Sequence, residues 1–204
     1  MATINFKRIR QQVAQQAGPR IAKITDKILD NRYERAREKL LIEIGEDPIS
    51  QELTAGPNAA NFSGTLSREG NLFSFFGFPI GADPVRKLLE YLDQTIKKGP
   101  SKRIRGRKDL TFRSYVTIPS LDDIEDSAAN KITDQYSNEG WIKGVRQGQA
   151  GYGQYIFDVI RQFRTSRSTT GLQLDGIVQQ GSMYPQSAYL SSQITNFKRK
   201  LKKG

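Results

Sequence analysis

The sequence predicts an α+β protein: a long N-terminal helix, a small mixed or antiparallel sheet with a β-α-β unit, and a C-terminal helix. Three observations predict it. Over 20–44, Ile21, Ile24 and Ile28 form one helical stripe, and Leu29, Tyr33, Ala36 and Leu40 continue as its neighbour. Over 110–118, Leu110, Phe112, Ser114, Val116 and Ile118 alternate with Thr111, Arg113, Tyr115 and Thr117, the period of a half-buried antiparallel strand. Near the end of the chain, Leu190, Ile194, Phe197 and Leu201 return to helical spacing. The chain divides into a helical arm over 1–48, an α+β core over 49–183 and a basic C-terminal helix over 184–204.

Taken in order, Ile4, Ile9 and Val13 place a first helical segment over 4–17. Gly18-Pro19 punctuates it, as a break or a kink. The helix over 20–44 exposes Glu34, Arg35, Glu38 and Lys39 on a solvated side, and Gly45 and Pro48 stop it. The span 49–70 is small and polar and reads as a connection with at most one short strand. Over 72–78, Leu-Phe-Ser-Phe-Phe-Gly-Phe sets aromatics at adjacent positions, which predicts a strand buried on both faces with a bulge at Gly77. Asp83-Pro84 then supplies an N-cap and a first helical residue. Val85, Leu88, Leu89, Leu92 and Ile96 form the stripe of a helix that ends before Gly99-Pro100. That helix joins the strands over 72–78 and 110–118 into the β-α-β unit, with Leu88 and Leu92 against the sheet and the basic stretch as a return loop.

After Pro119, Ser120 and Asp123 have the spacing of a capping box. Asp122, Asp123, Glu125 and Asp126 are of a type that binds hard cations, but acids in a first helical turn ordinarily complement the helix dipole. The span 140–153 holds five glycines and the single tryptophan, Trp141. Gly148, Gly151 and Gly153 lack the dinucleotide-binding spacing. Strands over 155–163 and 172–178 flank a polar hairpin tip at 164–171. There Arg164 and Arg167 stand among hydroxyls, a chemistry suited to phosphate or carboxylate.

The chain has no histidine and no cysteine, and its formal net charge is +11. This excludes the usual zinc, haem and iron–sulfur ligation, the Ser-His-Asp triad and the Cys-His dyad. No cofactor, metal or catalytic residue is expected, and contact is the expected mode of action. Lys97, Lys98, Lys102, Arg103, Arg105, Arg107 and Lys108 precede the next acid, Asp109; Lys198, Arg199, Lys200, Lys202 and Lys203 cluster near the end. Such blocks are solvated segments or surfaces facing an acidic protein or nucleic acid. With 36% hydrophobic residues the core is modest. The stripes Ile21, Ile24, Ile28 and Leu190, Ile194, Phe197, Leu201 are therefore expected at an oligomer interface. No run reaches the roughly 18 apolar residues of a membrane span. The N-terminus has no apolar leader, so synthesis in the cytosol and no membrane partner are expected.

Three stretches occur in order after the long basic helix. They are Phe62-Ser63-Gly64-Thr65-Leu66 running into 70–78; Gly140-Trp141-Ile142 with Gly151-Tyr152-Gly153-Gln154-Tyr155-Ile156; and Ser166-Arg167-Ser168 with Gly171-Leu172-Gln173. Together they resemble the small neck, head–tail connector and tail-completion proteins of tailed bacteriophages. The resemblance implies a virion protein without catalytic residues. It implies assembly as a homo-oligomeric ring, with a hexamer the expected symmetry, against other neck, portal or tail proteins and near packaged DNA. The long helix with a mixed sheet favours a neck or tail-completion role within that group. The competing reading is a stand-alone basic nucleic-acid-binding protein. It rests on the two basic blocks but has no helix-turn-helix, zinc or RNA-recognition signature. An enzyme using carboxylates or lysine, such as a nuclease or lyase, has no residues to name.

Overall fold

The computed structural model describes residues 6–65, 71–104, 111–132, 140–147, 163–165, 172–174 and 187–202. The chain is α+β, with a long N-terminal helix, short antiparallel strand pairs and a C-terminal helix. Helix α1 spans Phe6–Gly45 with Pro19 inside it, so Gly18-Pro19 does not end the helix. At 1.5 Å per residue its 40 residues reach about 60 Å. Its last third enters the core, with Tyr33, Leu40 and Ile44 buried, whereas no residue from Gly18 to Arg32 is.

Helix α2, Pro48–Ala55, starts at Asp47, whose carboxylate accepts from the Ile49 amide at 3.0 Å. Burial pushes the Asp47 carboxyl above its ordinary range, against the pull of its hydrogen bonds. A 3-10 turn follows at Gly56–Asn58. The next element overturns the expected strand over 72–78, because Leu72–Phe76 is helix α3. Asn71 caps it by accepting from the Ser74 amide, and Gly77 closes it in the left-handed region at φ 69°. The two caps stand far enough apart for one helical turn, and that local chemistry outweighs the strand propensity of the phenylalanines. All five α3 residues are buried, which is why aromatics occur on every side of it.

Helix α4, Pro84–Thr95, begins as expected, with Asp83 accepting from the Arg86 amide at 2.9 Å. Leu88 and Leu92 are fully buried, but against α1, α2 and a 3-10 turn at Ala128–Asn130, not against a sheet. No β-α-β unit forms, since its first strand is a helix. At the far end of α4 the Tyr33 hydroxyl donates to the Ile96 carbonyl at 2.6 Å. Leu92→Ala should cost about 3 kcal/mol of unfolding free energy in a urea titration, the mid-range for a buried leucine.

The basic stretch after α4 is not a return loop. Lys97–Lys98 (β1) and Lys102–Ile104 (β2) pair antiparallel with Val116–Thr117 (β4) and Thr111–Arg113 (β3), respectively. The partners are Lys97↔Thr117 and Lys98↔Val116 on one side, Lys102↔Arg113, Arg103↔Phe112 and Ile104↔Thr111 on the other. Three residues, 99–101, oppose two, 114–115, so the ladder shifts by one residue, as at a β-bulge. Pro100 sits in that gap, where its missing amide hydrogen costs no ladder bond. Gly99 donates to the Tyr115 carbonyl at 2.7 Å across it.

Helix α5, Leu121–Glu125, has the expected capping box between Ser120 and Asp123. Hydrogen bonds from Ser120 hold the Asp123 carboxyl below its usual range. Helix α6, Trp141–Gln147, carries the buried tryptophan, whose indole donates to the Ala129 carbonyl at 2.9 Å. Phe163–Thr165 (β5) pairs antiparallel with Leu172–Leu174 (β6), so Arg164 and Thr165, expected in the polar tip, belong to a strand; 155–162, 166–171 and 175–178 of the expected hairpin lie outside the described residues. Helix α7, Ser191–Lys202, runs back along α1. Gln193 donates to Asp47 at 2.9 Å, the Arg32 guanidinium donates to the Lys200 carbonyl at 2.7 Å, and the Lys200 ammonium meets Glu43 at 2.8 Å. The core is thus helix against helix. A chain of ring contacts runs through it from Phe73 to Phe78 to Trp141 to Tyr189, with centroids 5.4, 6.3 and 5.9 Å apart. The Tyr189 hydroxyl shares a hydrogen bond with Ser50 at 2.8 Å, and burial raises its pKa.

Candidate functional site

Two surfaces stand out, and the expected contact residues divide between them. On α1, Ile24 and Ile28 are each 61% exposed and Ile21 is exposed at 36%. The other expected interface stripe is corrected. Leu190, Ile194 and Phe197 are buried in their own subunit, and Leu201 packs on the same core. The reason is that α7 lies along α1, where its apolar stripe fills the groove beside Leu40 and Ile44. Removing residues 186–204 would therefore open the core and not merely trim an arm.

The second surface is a groove of about 310 Å³ where α1, the hairpin and α7 meet. Leu29, Val116, Ile118 and Leu201 give it apolar walls; Arg32, Lys98, Lys198 and Lys202 give it charge, and Tyr115 stands at its edge, 61% exposed. The groove joins two basic blocks that lie some ninety residues apart in the chain. Its cations differ in what they already hold. Lys98 is almost covered, and its ammonium sits 2.6 Å from Asp30 and 3.7 Å from Asp26 of α1. Arg32 is engaged with the Lys200 carbonyl. Both brace the walls. Lys198 and Lys202 are exposed and form no ion pair with any described residue.

Along the hairpin, exposed Arg113, Tyr115 and Thr117 alternate with half-buried Phe112, Ser114, Val116 and Ile118. Lys97 and Lys102 are exposed opposite Thr117 and Arg113, and neither they nor Arg113 form an ion pair with a described residue. Arg103 lies on β2 opposite Phe112, and Arg164 on β5 opposite Gln173. Arg105, Arg107, Lys108 and Arg167 lie outside the described residues. The inner residue Lys98, expected to meet an outside partner, instead finds its counter-charge in α1. Arg113, Tyr115 and the paired role of α7 were not singled out by sequence. The alternation that exposes 113, 115 and 117 was legible, but the helix that completes the groove was not.

The acidic corner at 122–126 holds no cation cluster. Asp123 serves the cap and Glu125 pairs with Arg146, and among the described residues no three ligand-type side chains gather. Among the described residues no helix is long and apolar enough to cross a membrane. The fold and surfaces define an α+β protein with a long N-terminal helix and a basic, apolar-walled groove. No family model, no curated protein and no solved structure matches the chain.

Proposed function

We propose that this protein is a structural subunit of a tailed-phage virion, part of a neck, head–tail connector or tail-completion ring, acting by contact and not by catalysis. The observation that carries the assembly role is the stripe Ile21, Ile24 and Ile28 on α1, open to solvent on the face of the helix turned away from the core. An apolar stripe on an extended helix is costly to leave in water and is a natural seam against a neighbouring subunit. A contact that joins one surface to a different surface on the next copy closes into a ring when the rotation permits. The virion setting and the hexameric expectation come from the resemblance of the glycine-aromatic stretches.

The test is incorporation of Ile21→Ser/Ile24→Ser/Ile28→Ser into assembled particles. These side chains lie outside the core, so the variant should keep the parent Trp141 emission and urea midpoint within about 0.5 kcal/mol. Incorporation should fall at least tenfold. Normal incorporation of a folded triple variant would count against the arm as the seam.

A further inference from the structure

We propose that the groove between the β1–β4 hairpin and α7 binds the phosphate backbone of duplex DNA without reading its sequence. The inference deepens the virion reading by naming a partner for the groove, and it rests on that reading only for where such DNA is met. Lys102 and Arg113 do not line the groove itself but stand directly opposite each other on the hairpin, next to its lining residue Ser114, and both are exposed. Like charges in that position repel, so the pair gains from an anion between them. Lys198 and Lys202 bring charge to the groove from α7 that no described residue pairs. Asp26 and Asp30 of α1 are already engaged with the groove residue Lys98. A partner with closely spaced negative charge complements this arrangement, and a nucleic-acid backbone is the densest such polymer.

One exposed aromatic, Tyr115, stands among these cations. Proteins that hold single strands stack successive bases on several aromatic rings. Among the described residues lining the groove Tyr115 is the one exposed ring, Tyr33 being buried, and a single exposed tyrosine among lysines suits phosphates, its hydroxyl serving as one more donor. That distinction favours duplex over single strand.

The experiment uses the full chain and a labelled random-sequence duplex, read by fluorescence anisotropy across a salt series, with oligo-dT and polyglutamate as parallel ligands. Duplex binding should weaken linearly in log salt. Lys102→Gln/Arg113→Gln/Lys198→Gln/Lys202→Gln should flatten that slope by about 4 and weaken binding at low salt roughly 100-fold. The control removes four exposed lysines that lie neither in the groove nor on the hairpin, Lys23, Lys87, Lys131 and Lys143, with the same net-charge change. It should lose less than a tenth of that effect. Absence of duplex binding, tighter binding of oligo-dT or polyglutamate, or an equal loss in the control would overturn the proposal. Those results leave particle incorporation untouched, so a groove that binds no DNA and an arm that assembles nothing are separate failures.

Discussion

Gly140→Ala is expected to destabilise the protein by about 5 kcal/mol, most of the margin of an ordinary domain. A Cβ at this position would lie 1.5 Å from Nδ2 of Asn130 and 2.0 Å from its Cγ. Asn130 cannot step aside cheaply. It is 4% exposed, its Nδ2 donates to the Glu125 carbonyl at 2.5 Å and its Oδ1 accepts from the Ile142 amide at 2.7 Å. Displacing it breaks both bonds and leaves buried groups unpaired, each costing about 1–3 kcal/mol, in addition to the overpacking itself. Urea unfolding followed by Trp141 emission reads the loss directly, because Trp141 is next in the chain and fully buried. Asn130→Ala alone should cost about 3 kcal/mol, and the double variant little more than that, since the obstacle is gone. Additive losses in the cycle would show that the glycine answers to something other than Asn130.

Glu52→Ala is expected to cost about 4 kcal/mol, and Glu52→Gln at least half as much. Glu52 is fully buried on α2, and its hydrogen-bond partners among the described residues are all donors. One carboxylate oxygen accepts from the Leu72 amide at 2.6 Å; the other accepts from the Ser63 amide at 2.9 Å and the Ser63 hydroxyl at 2.6 Å. The carboxylate thus ties α2 to the start of α3 and to the segment around Ser63. A glutamine keeps the shape but turns an NH2 group toward an N–H, so one bond becomes a clash of donors. Equilibrium urea titrations of the two variants test this. A glutamine variant as stable as the parent would mean that shape, not acceptor capacity, is what the site requires.

Much of the helical architecture was legible because its signals are local. Asp83-Pro84 starts α4, Ser120 and Asp123 box the start of α5, and the stripes of α1 and α7 repeat at helical spacing. The antiparallel pairing of 172–174 with a preceding strand is legible, but that strand takes in Arg164 and Thr165, which read as part of a polar tip. The element over 72–78 was misread for a physical reason. A single turn is too short for a 3.6-residue period to appear, and four phenylalanines weigh toward a strand. The caps Asn71 and Gly77 carried the contrary signal.

By itself the sequence determined the α+β class, the caps, the helix stripes, the excess of positive charge and the lack of histidine and cysteine. Only the tertiary structure decided which apolar stripe is covered and which cations are free. Amphipathicity says that a helix face needs a partner but not where the partner lies. The stripe of α7 found its cover on α1, while Ile24 and Ile28 lie on an exposed face of α1. Charge is likewise read by count in a sequence and by distance in a fold. Lys98 is neutralised by Asp30 at 2.6 Å from a helix nearly seventy residues upstream, whereas Lys198 and Lys202 in the groove, and Lys102 and Arg113 on the hairpin beside it, form no ion pair with a described residue.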